Sequence, residues 1–314
     1  MLDFIIKRLF LMIPTLFFVA SVSFFLIHIT PGDPVDLIAG QKATEEQKAE
    51  IRASLNLDKP ILEQYEIFLT RLSNGDLGES LYATQENGDK KKVTTMIAER
   101  MPNTAILALT AIAISLIFSI PLAILAAANK GKAVDKGILS FCILNLSVPS
   151  FVLAPILILI FCLQFQWLPV GGFGQPINLV LPSVSLALGL IAVTVRLLRG
   201  SILDNLNKPF VKTAMAKGCS RSRVLYVHVL KNAFMPMITI IFLQIGALIT
   251  GTIFTENIFS WPGLGTLLID SINRRDYMTA QGCILLIAFI YVMATFLADV
   301  ISAAINPQIS LKKK

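Results

Sequence analysis

The chain has 314 residues, of which 55% are hydrophobic and only 15% charged, against roughly 25% charged in an average soluble domain. Lys and Arg number 27 against 20 Asp and Glu, a net charge of +7. The apolar residues gather into long uncharged runs, so a soluble globular domain is excluded and the basic excess has to be read against a bilayer.

A crossing needs about 20 apolar residues, and a charge at the bilayer centre is costly. On that basis the first crossing is 9–29, after Lys7 and Arg8. A secretory signal would carry an apolar region of only about 7–15 residues and a small-residue cleavage site. The run here is longer, and the Thr-Pro-Gly-Asp-Pro sequence at 30–34 supplies no such site, so the segment is read as an uncleaved anchor. Residues 30–103 form the one sizeable polar segment. Thr44 and Gln47 have capping-box spacing and predict a helix toward Leu55, and a second helix is expected from Pro60 to just before Gly75. In the second, Ile61, Leu62, Tyr65, Phe68, Leu69 and Leu72 share one face that must be covered. Asn87-Gly88 marks a tight turn, and Ile97 with Met101 suggests an amphipathic piece entering the next span. A segment of this size makes a thin core alone, so it is expected to pack on the membrane domain or a partner, as a passive cap or as a substrate guide.

The second crossing is 106–128, between Arg100 and Lys130. Residues 137–195 carry no charge, far too long a run for one crossing of about 30 Å. Trp167, Pro169, Gly171, Gly172, Gly174 and Pro176 mark the break, giving crossings at 139–163 and 179–198. Crossings at 234–255 and 278–298 complete six. The fold class is therefore an all-α integral membrane protein with six transmembrane helices and a small extracytoplasmic segment between the first and second. Its divisions are 1–29, 30–103, a five-span core at 104–304 with a cytoplasmic loop at 199–233, and a basic tail at 305–314.

Cytoplasmic loops retain Lys and Arg, and the count alternates. Lys7 and Arg8, then Lys130, Lys132 and Lys136, then eight from Arg196 to Lys231, then Lys312, Lys313 and Lys314 all fall on one side. The other side has none between spans three and four, and Arg274 with Arg275 between five and six. Both termini are thus read as cytoplasmic. The basic balance is a topology signal, which leaves the lipid bilayer as partner and no nucleic acid.

Chemistry-bearing residues are sparse. Cys142, Cys162, Cys219 and Cys283 share no metal spacing and are assigned to packing, and His28 and His228 are isolated interfacial histidines. The glycines of 171–174 form a turn, since no Lys-Ser/Thr of a phosphate loop follows, and no such loop occurs elsewhere. No catalytic residue, cofactor site or metal site is assigned. Asp299 is the clearest intramembrane acid and is read as the ion-pair partner of Arg196 or Arg199. Asn145, Ser147 and Gln244 are polar at membrane depth, where they line a translocation path or bond between helices.

The loop 199–233 is the most informative stretch. Pro209 and Gly218 bracket a short helix at 210–217, and Ser220 can cap a second helix running toward Pro236. Ala214, Ala216 and Gly218 keep the first helix low enough to seat in a partner's groove. A basic helix lying on anionic lipid is the alternative from the pattern alone.

The run Lys212-Thr213-Ala214-Met215-Ala216-Lys217-Gly218, with Val224, His228 and Lys231-Asn232-Ala233-Phe234-Met235-Pro236, resembles the cytoplasmic signature loop of ABC importer permeases in the form used by the dipeptide, oligopeptide and nickel class. Ile6-Lys7-Arg8-Leu9, the 28–34 motif, Leu55 to Pro60, Gly75-Asp76-Leu77-Gly78, the 256–265 stretch Glu-Asn-Ile-Phe-Ser-Trp-Pro-Gly-Leu-Gly and Arg275-Asp276-Tyr277 resemble the first permease subunit of that class. One departure is Lys212-Thr213-Ala214 where the general loop has Glu-Ala-Ala, an acid this class commonly lacks.

The resemblance implies an importer built from two permeases, two cytoplasmic ATP-binding subunits and an extracytoplasmic solute-binding protein, in a bacterial inner membrane. This chain would be one permease, paired with a homologous second permease, without ATPase activity of its own. Asp204, Pro209, Phe210, Val211, Lys212, Thr213, Ala214, Ala216, Lys217 and Gly218 would form the coupling loop to the ATPase. The expected cargo is a di- or oligopeptide, with a nickel chelate or glutathione-like solute as the alternative. An ion-coupled secondary transporter and a membrane sensor are the other classes, which reconstitution would separate from the importer.

Overall fold

A computed structural model describes residues 2–29, 35, 44–54, 56–85 and 89–305. The 30–34 motif, Leu55, the Asn87-Gly88 turn and the tail from 306 onward lie outside the described residues. Helix α1 (Leu2–Ile29) is followed by α2 (Glu45–Ser54) and α3 (Ile61–Ser73), then a hairpin of β1 (Glu79–Thr84) and β2 (Lys90–Lys92). Next come α4 (Val93–Ala128), α5 (Ala133–Ser147) and α6 (Ser150–Leu157), which continues as a π-helical stretch, Ile158–Gln164. A 3-10 turn, Pro176–Leu179, leads into α7 (Val180–Leu206) and the short α8 (Pro209–Ala216). The turn Arg221–Arg223 and a π-helical stretch, Val224–Val229, run into α9 (Leu230–Ile258), and α10 (Leu264–Asn273) and α11 (Tyr277–Ile305) follow.

Among the described residues, five helices are long and apolar enough to cross a membrane, and six crossings result if α5 and α6 are counted together. The expected straight crossing at 139–163 is instead an elbow of 102° between α5 and α6. The reason is Pro149, which has no N–H to continue the helix and pushes the preceding residue into extended backbone; Val148 sits at φ −104°, ψ 119°. The helix expected from Ser220 toward Pro236 does not stop there: the turn capped by Ser220 passes through the π-helical stretch straight into α9.

Small residues on α4 let its neighbours approach: Thr104, Ala108, Ala111, Ser115, Ser119 and Ala123 recur at helical spacing and are buried. They meet Ser183, Ala187, Ala192 and Thr194 of α7, also buried, the close packing small side chains permit between apolar helices. Ser115, Ser119, Ser183 and Ser185 have no hydrogen-bond partner for their hydroxyls, so these serines act here as small spacers.

The polar segment between the first two spans folds onto α1. Thr44 and Gln47 form the reciprocal cap expected of them, with Thr44 N donating to Gln47 Oε1 at 3.1 Å and Gln47 N to Thr44 Oγ1 at 3.3 Å. The apolar face of α3 is only partly covered, by the second half of α1: Phe68 stacks on Phe24 with centroids 5.3 Å apart and the Tyr65 and Ser21 hydroxyls are 2.6 Å apart, while Ile61 and Leu62 stay exposed. Ile97 and Met101 lie in the first turns of α4, which runs on without a break into the span.

Candidate functional site

Helix α8 begins where the residue types require. Lys208 is its N-cap in extended backbone and Pro209 takes the first position, where a missing N–H costs nothing. It ends in a Schellman motif: Gly218 N donates to Met215 O at 2.9 Å and Cys219 N to Ala214 O at 3.2 Å. Gly218 has φ +80°, and no atom lies within 4 Å of where a Cβ would stand. The glycine is therefore required by backbone conformation and not by crowding.

Val211 and Ala214 face inward, into a buried cluster with Val224 and Val229 of the following stretch, Leu198 and Ile202 of α7, and Ala123 and Ala127 of α4. The low surface at Ala214 thus serves packing within this chain, which corrects its expected role against a partner's groove. The outward face is Lys212, Thr213, Met215, Ala216 and Lys217, all exposed, with Phe210 half-buried at the rim. Lys208, Arg221 and Arg223 are exposed beside it, and Asp204 is the one acid of the loop. The result is a cationic knob whose underside is locked to the ends of three long helices, α4, α7 and α9.

A second anchor on this side was not anticipated. The Arg199 guanidinium binds Asp135 in two parallel contacts, Nε to Oδ1 and Nη2 to Oδ2, each 2.6 Å. Gly131 N also donates to Asp135 Oδ2 at 2.8 Å. This ties the start of α5 to the inner part of α7. Asp299 pairs with neither Arg196 nor Arg199; it meets Arg8 at 2.9 Å and joins α11 to α1. Sequence order hides both pairs, although Asp135 inside the basic Lys130 to Lys136 run was a visible oddity.

On the opposite side two buried carboxylates fasten the ends of helices. Glu256 Oε1 accepts from Thr104 Oγ1 at 2.6 Å, and Oε2 from Gly265 N at 2.7 Å, so a carboxylate from α9 caps α10. A Cβ on Gly263 would collide with the Glu256 carboxyl, and one on Gly265 with Ile253. Trp261 Nε1 donates to Asn103 O at 3.0 Å, completing the lock between α4 and the α9–α10 turn. Asp276 accepts from the hydroxyls of Thr279, at 2.8 Å, and of Ser80, capping α11 and holding β1 to it. Burial, aided by Asp276, pushes the nearby Tyr82 hydroxyl up from its ordinary pKa.

The expected path residues separate. Gln244 is buried and its amide donates to Thr194 Oγ1 at 3.1 Å, joining α9 to α7. Asn145 and Ser147 each bond the carbonyl four residues back in α5, at 2.9 Å, beside the elbow. Among the described residues no hydrogen bond joins Gln244 to Asn145 or Ser147. Among the described residues no cluster of His, Cys, Asp and Glu could hold a metal.

The amino-terminal model "Binding-prot-dependent transport system membrane comp, N-term" matches residues 1–110, and "Binding-protein-dependent transport system inner membrane component" matches 119–311. The glutathione transport system permease protein GsiC of Escherichia coli strain CFT073 is 37% identical over 312 residues, 99% of this chain and 100% of that protein. Its counterpart in Pectobacterium atrosepticum is 38% identical with the same coverage. Among solved structures, the MetNI methionine ABC transporter in an inward-facing conformation aligns with TM-score 0.57 at 12% identity, over 71% of this chain and all of that one. An amino acid ABC transporter crystallised with histidines aligns with TM-score 0.52 at 15% identity, over 68% and 94% of the two chains. At such identities these structures establish the shared fold, while the full-length relatives establish descent. The chain belongs to the binding-protein-dependent inner-membrane permeases of ABC importers, in the class that serves peptides, nickel and glutathione.

Proposed function

We propose that this chain is one of two different permeases in an importer of short peptides of the glutathione kind, and that α8 is its lever against a cytoplasmic ATPase. The observation that carries the cargo reading is similarity across 99% of the chain to relatives named as glutathione transport permeases. This takes up the alternative cargo, the glutathione-like solute, in place of the first expectation of a di- or oligopeptide. The lever reading is supported by the geometry of α8, whose outer face is exposed and cationic while Val211 and Ala214 fix it to the helix ends. Displacement of a partner surface against the knob would therefore be passed to α4, α7 and α9 as packed units. Closure of an ATPase pair would favour the state that accepts solute from the binding protein, and hydrolysis would reset it.

The alternating basic loops support an arrangement with both termini and α8 in the cytoplasm. ATP hydrolysis belongs to the partner subunits in this scheme, since this chain has no phosphate loop. The test is reconstitution in proteoliposomes with the second permease, the ATPases and the binding protein. Uptake of labelled glutathione should require ATP on the α8 side and binding protein on the other, and unlabelled glutathione should compete better than a dipeptide or a nickel chelate. Uptake by this chain alone with an ion gradient would overturn the importer scheme. Preferential competition by the nickel chelate would overturn the cargo. The purified chain without ATPase subunits should release no phosphate from ATP.

A further inference from the structure

Between α1, α3 and α11 lie two adjoining cavities that the transport scheme does not use. The first, of about 220 Å³, is walled by Phe24, Phe68, Arg71, Asp76, Tyr277 and Gln281 among others. The second, of about 300 Å³, has an apolar wall that includes Leu16, Ala20, Leu72 and Phe289. Leu77 and Leu285 border both. Along α1 the second cavity lies two to three turns from His28, roughly 12–18 Å at about 1.5 Å per residue, which is close to the depth of one leaflet.

The polar groups of the first cavity divide into satisfied and unsatisfied. The His28 ring contacts Phe24 O at 2.8 Å and Gln64 Oε1 at 3.0 Å, and Gln64 Nε2 donates to Lys59 O at 2.8 Å. Gln281 is 8% exposed, and its Nε2 has no hydrogen-bond partner; the buried Tyr277 Oη has none either. Among the described residues no ion pair engages the Arg71 guanidinium. A buried amide and hydroxyl left unpaired in a cavity that the exposed Arg71 also lines supply the donor set for a phosphate, since unpaired buried donors are rare in native proteins.

We propose that this double cavity is a phospholipid site, with the headgroup phosphate held by Arg71, Gln281 Nε2 and Tyr277 Oη and an acyl chain in the apolar cavity. Asp76 lines the same wall, its Oδ1 accepting from Gly78 N at 2.9 Å. A carboxylate there pairs with a headgroup ammonium and disfavours a headgroup of net negative charge, which makes zwitterionic phosphatidylethanolamine the fit over phosphatidylglycerol. The site goes beyond the importer assignment and does not depend on the cargo.

The full chain, extracted in mild detergent with whatever subunits accompany it, is examined by native mass spectrometry after delipidation and titration with phosphatidylethanolamine or phosphatidylglycerol. One phosphatidylethanolamine should be retained in preference to phosphatidylglycerol, and R71Q, Q281L and A20F should each lower retention at least fivefold. A photoreactive side chain at Leu285 should yield a lipid adduct on irradiation in native membranes, a readout that survives if any variant fails to fold. A crosslink from Leu285 to another polypeptide would mean that a second subunit fills the groove, and would overturn the proposal. Equal retention of both lipids, or unchanged retention in well-folded R71Q and A20F, would overturn it as well.

Discussion

At the scale of single residues, charge and glycine carry the structure. The Asp135 side chain is almost wholly buried, and its guanidinium partner is 18% exposed. Removing one partner of such a pair leaves an uncompensated buried charge, a loss of about 3–5 kcal/mol. Asp135→Asn or Arg199→Gln should therefore lower the melting temperature of the detergent-solubilised chain sharply. The double change Asp135→Leu with Arg199→Met should recover most of the loss, and a cycle showing no coupling would contradict the pairing. Gly218 and Gly265 fail differently when substituted. Gly218→Val puts a β-branched residue at φ +80°, where L residues lose roughly 1–2 kcal/mol. The Schellman end should open and ATPase co-purification should fall, while Gly218→Asn, which tolerates that backbone, should be far milder. At Gly265 the obstacle is space: Gly265→Ala drives a methyl into the α9 backbone at Ile253, and overpacking costs about 1–3 kcal/mol.

At the scale of elements, two helices depend on what lies beneath them. Helix α3 holds to α1 through Tyr65 and Phe68 against Phe24 and Phe25. Phe68→Ala should cost about 2 kcal/mol of local stability, less than a fully buried Phe because the site is half-covered. Limited proteolysis of the solubilised chain should then cut between 56 and 78 several-fold faster, with α4 to α11 unaffected. Helix α8 is seated on Val211 and Ala214, so Ala214→Glu forces a charge into the chain's own core. Loss of ATPase association in that variant would come from displacement of α8 as a unit. The exposed-face change Lys212→Glu tests the contact itself, and should weaken association without altering the melting temperature.

At the scale of the whole molecule, polar locks sit at both ends of an apolar bundle. Arg8 with Asp299 and Arg199 with Asp135 close one end, and Glu256 with Thr104 and Asp276 with Ser80 close the other. Between them the bundle is packed on small residues of α4 and α7, with the Gln244–Thr194 bond joining α9 to α7. The proposed sidedness is testable by labelling. In a background lacking native cysteines, Cys at Lys132 or Lys217 should be shielded from an impermeant thiol reagent applied to spheroplasts, and Cys at Gln85 should react. Labelling of Lys217→Cys from outside would reverse the arrangement and remove α8 from the ATPase side.

Composition and charge spacing alone determined that the chain is a membrane bundle, because uncharged runs of crossing length have no other stable home. Local signals were equally legible: Pro209 and Gly218 bound α8, and Thr44 with Gln47 cap α2, since such effects reach only three or four residues along the chain. What tertiary structure decided is everything that joins distant positions. Pro149 lies inside the crossing read at 139–163, and the 102° turn of α6 away from α5 became visible only in the structure. Asp299 announced a cation, read as Arg196 or Arg199, and only the packing of α1 beside α11 brought Arg8 to it instead. The motif at 256–265 was readable as a family mark, yet only packing explains it: a buried carboxylate needs two glycines beside it and the Thr104 hydroxyl from a helix about 150 positions away. The facing of Ala214 followed the same rule, because a small residue on a short helix can serve a partner or its own core, and only the neighbours brought beside it determine which.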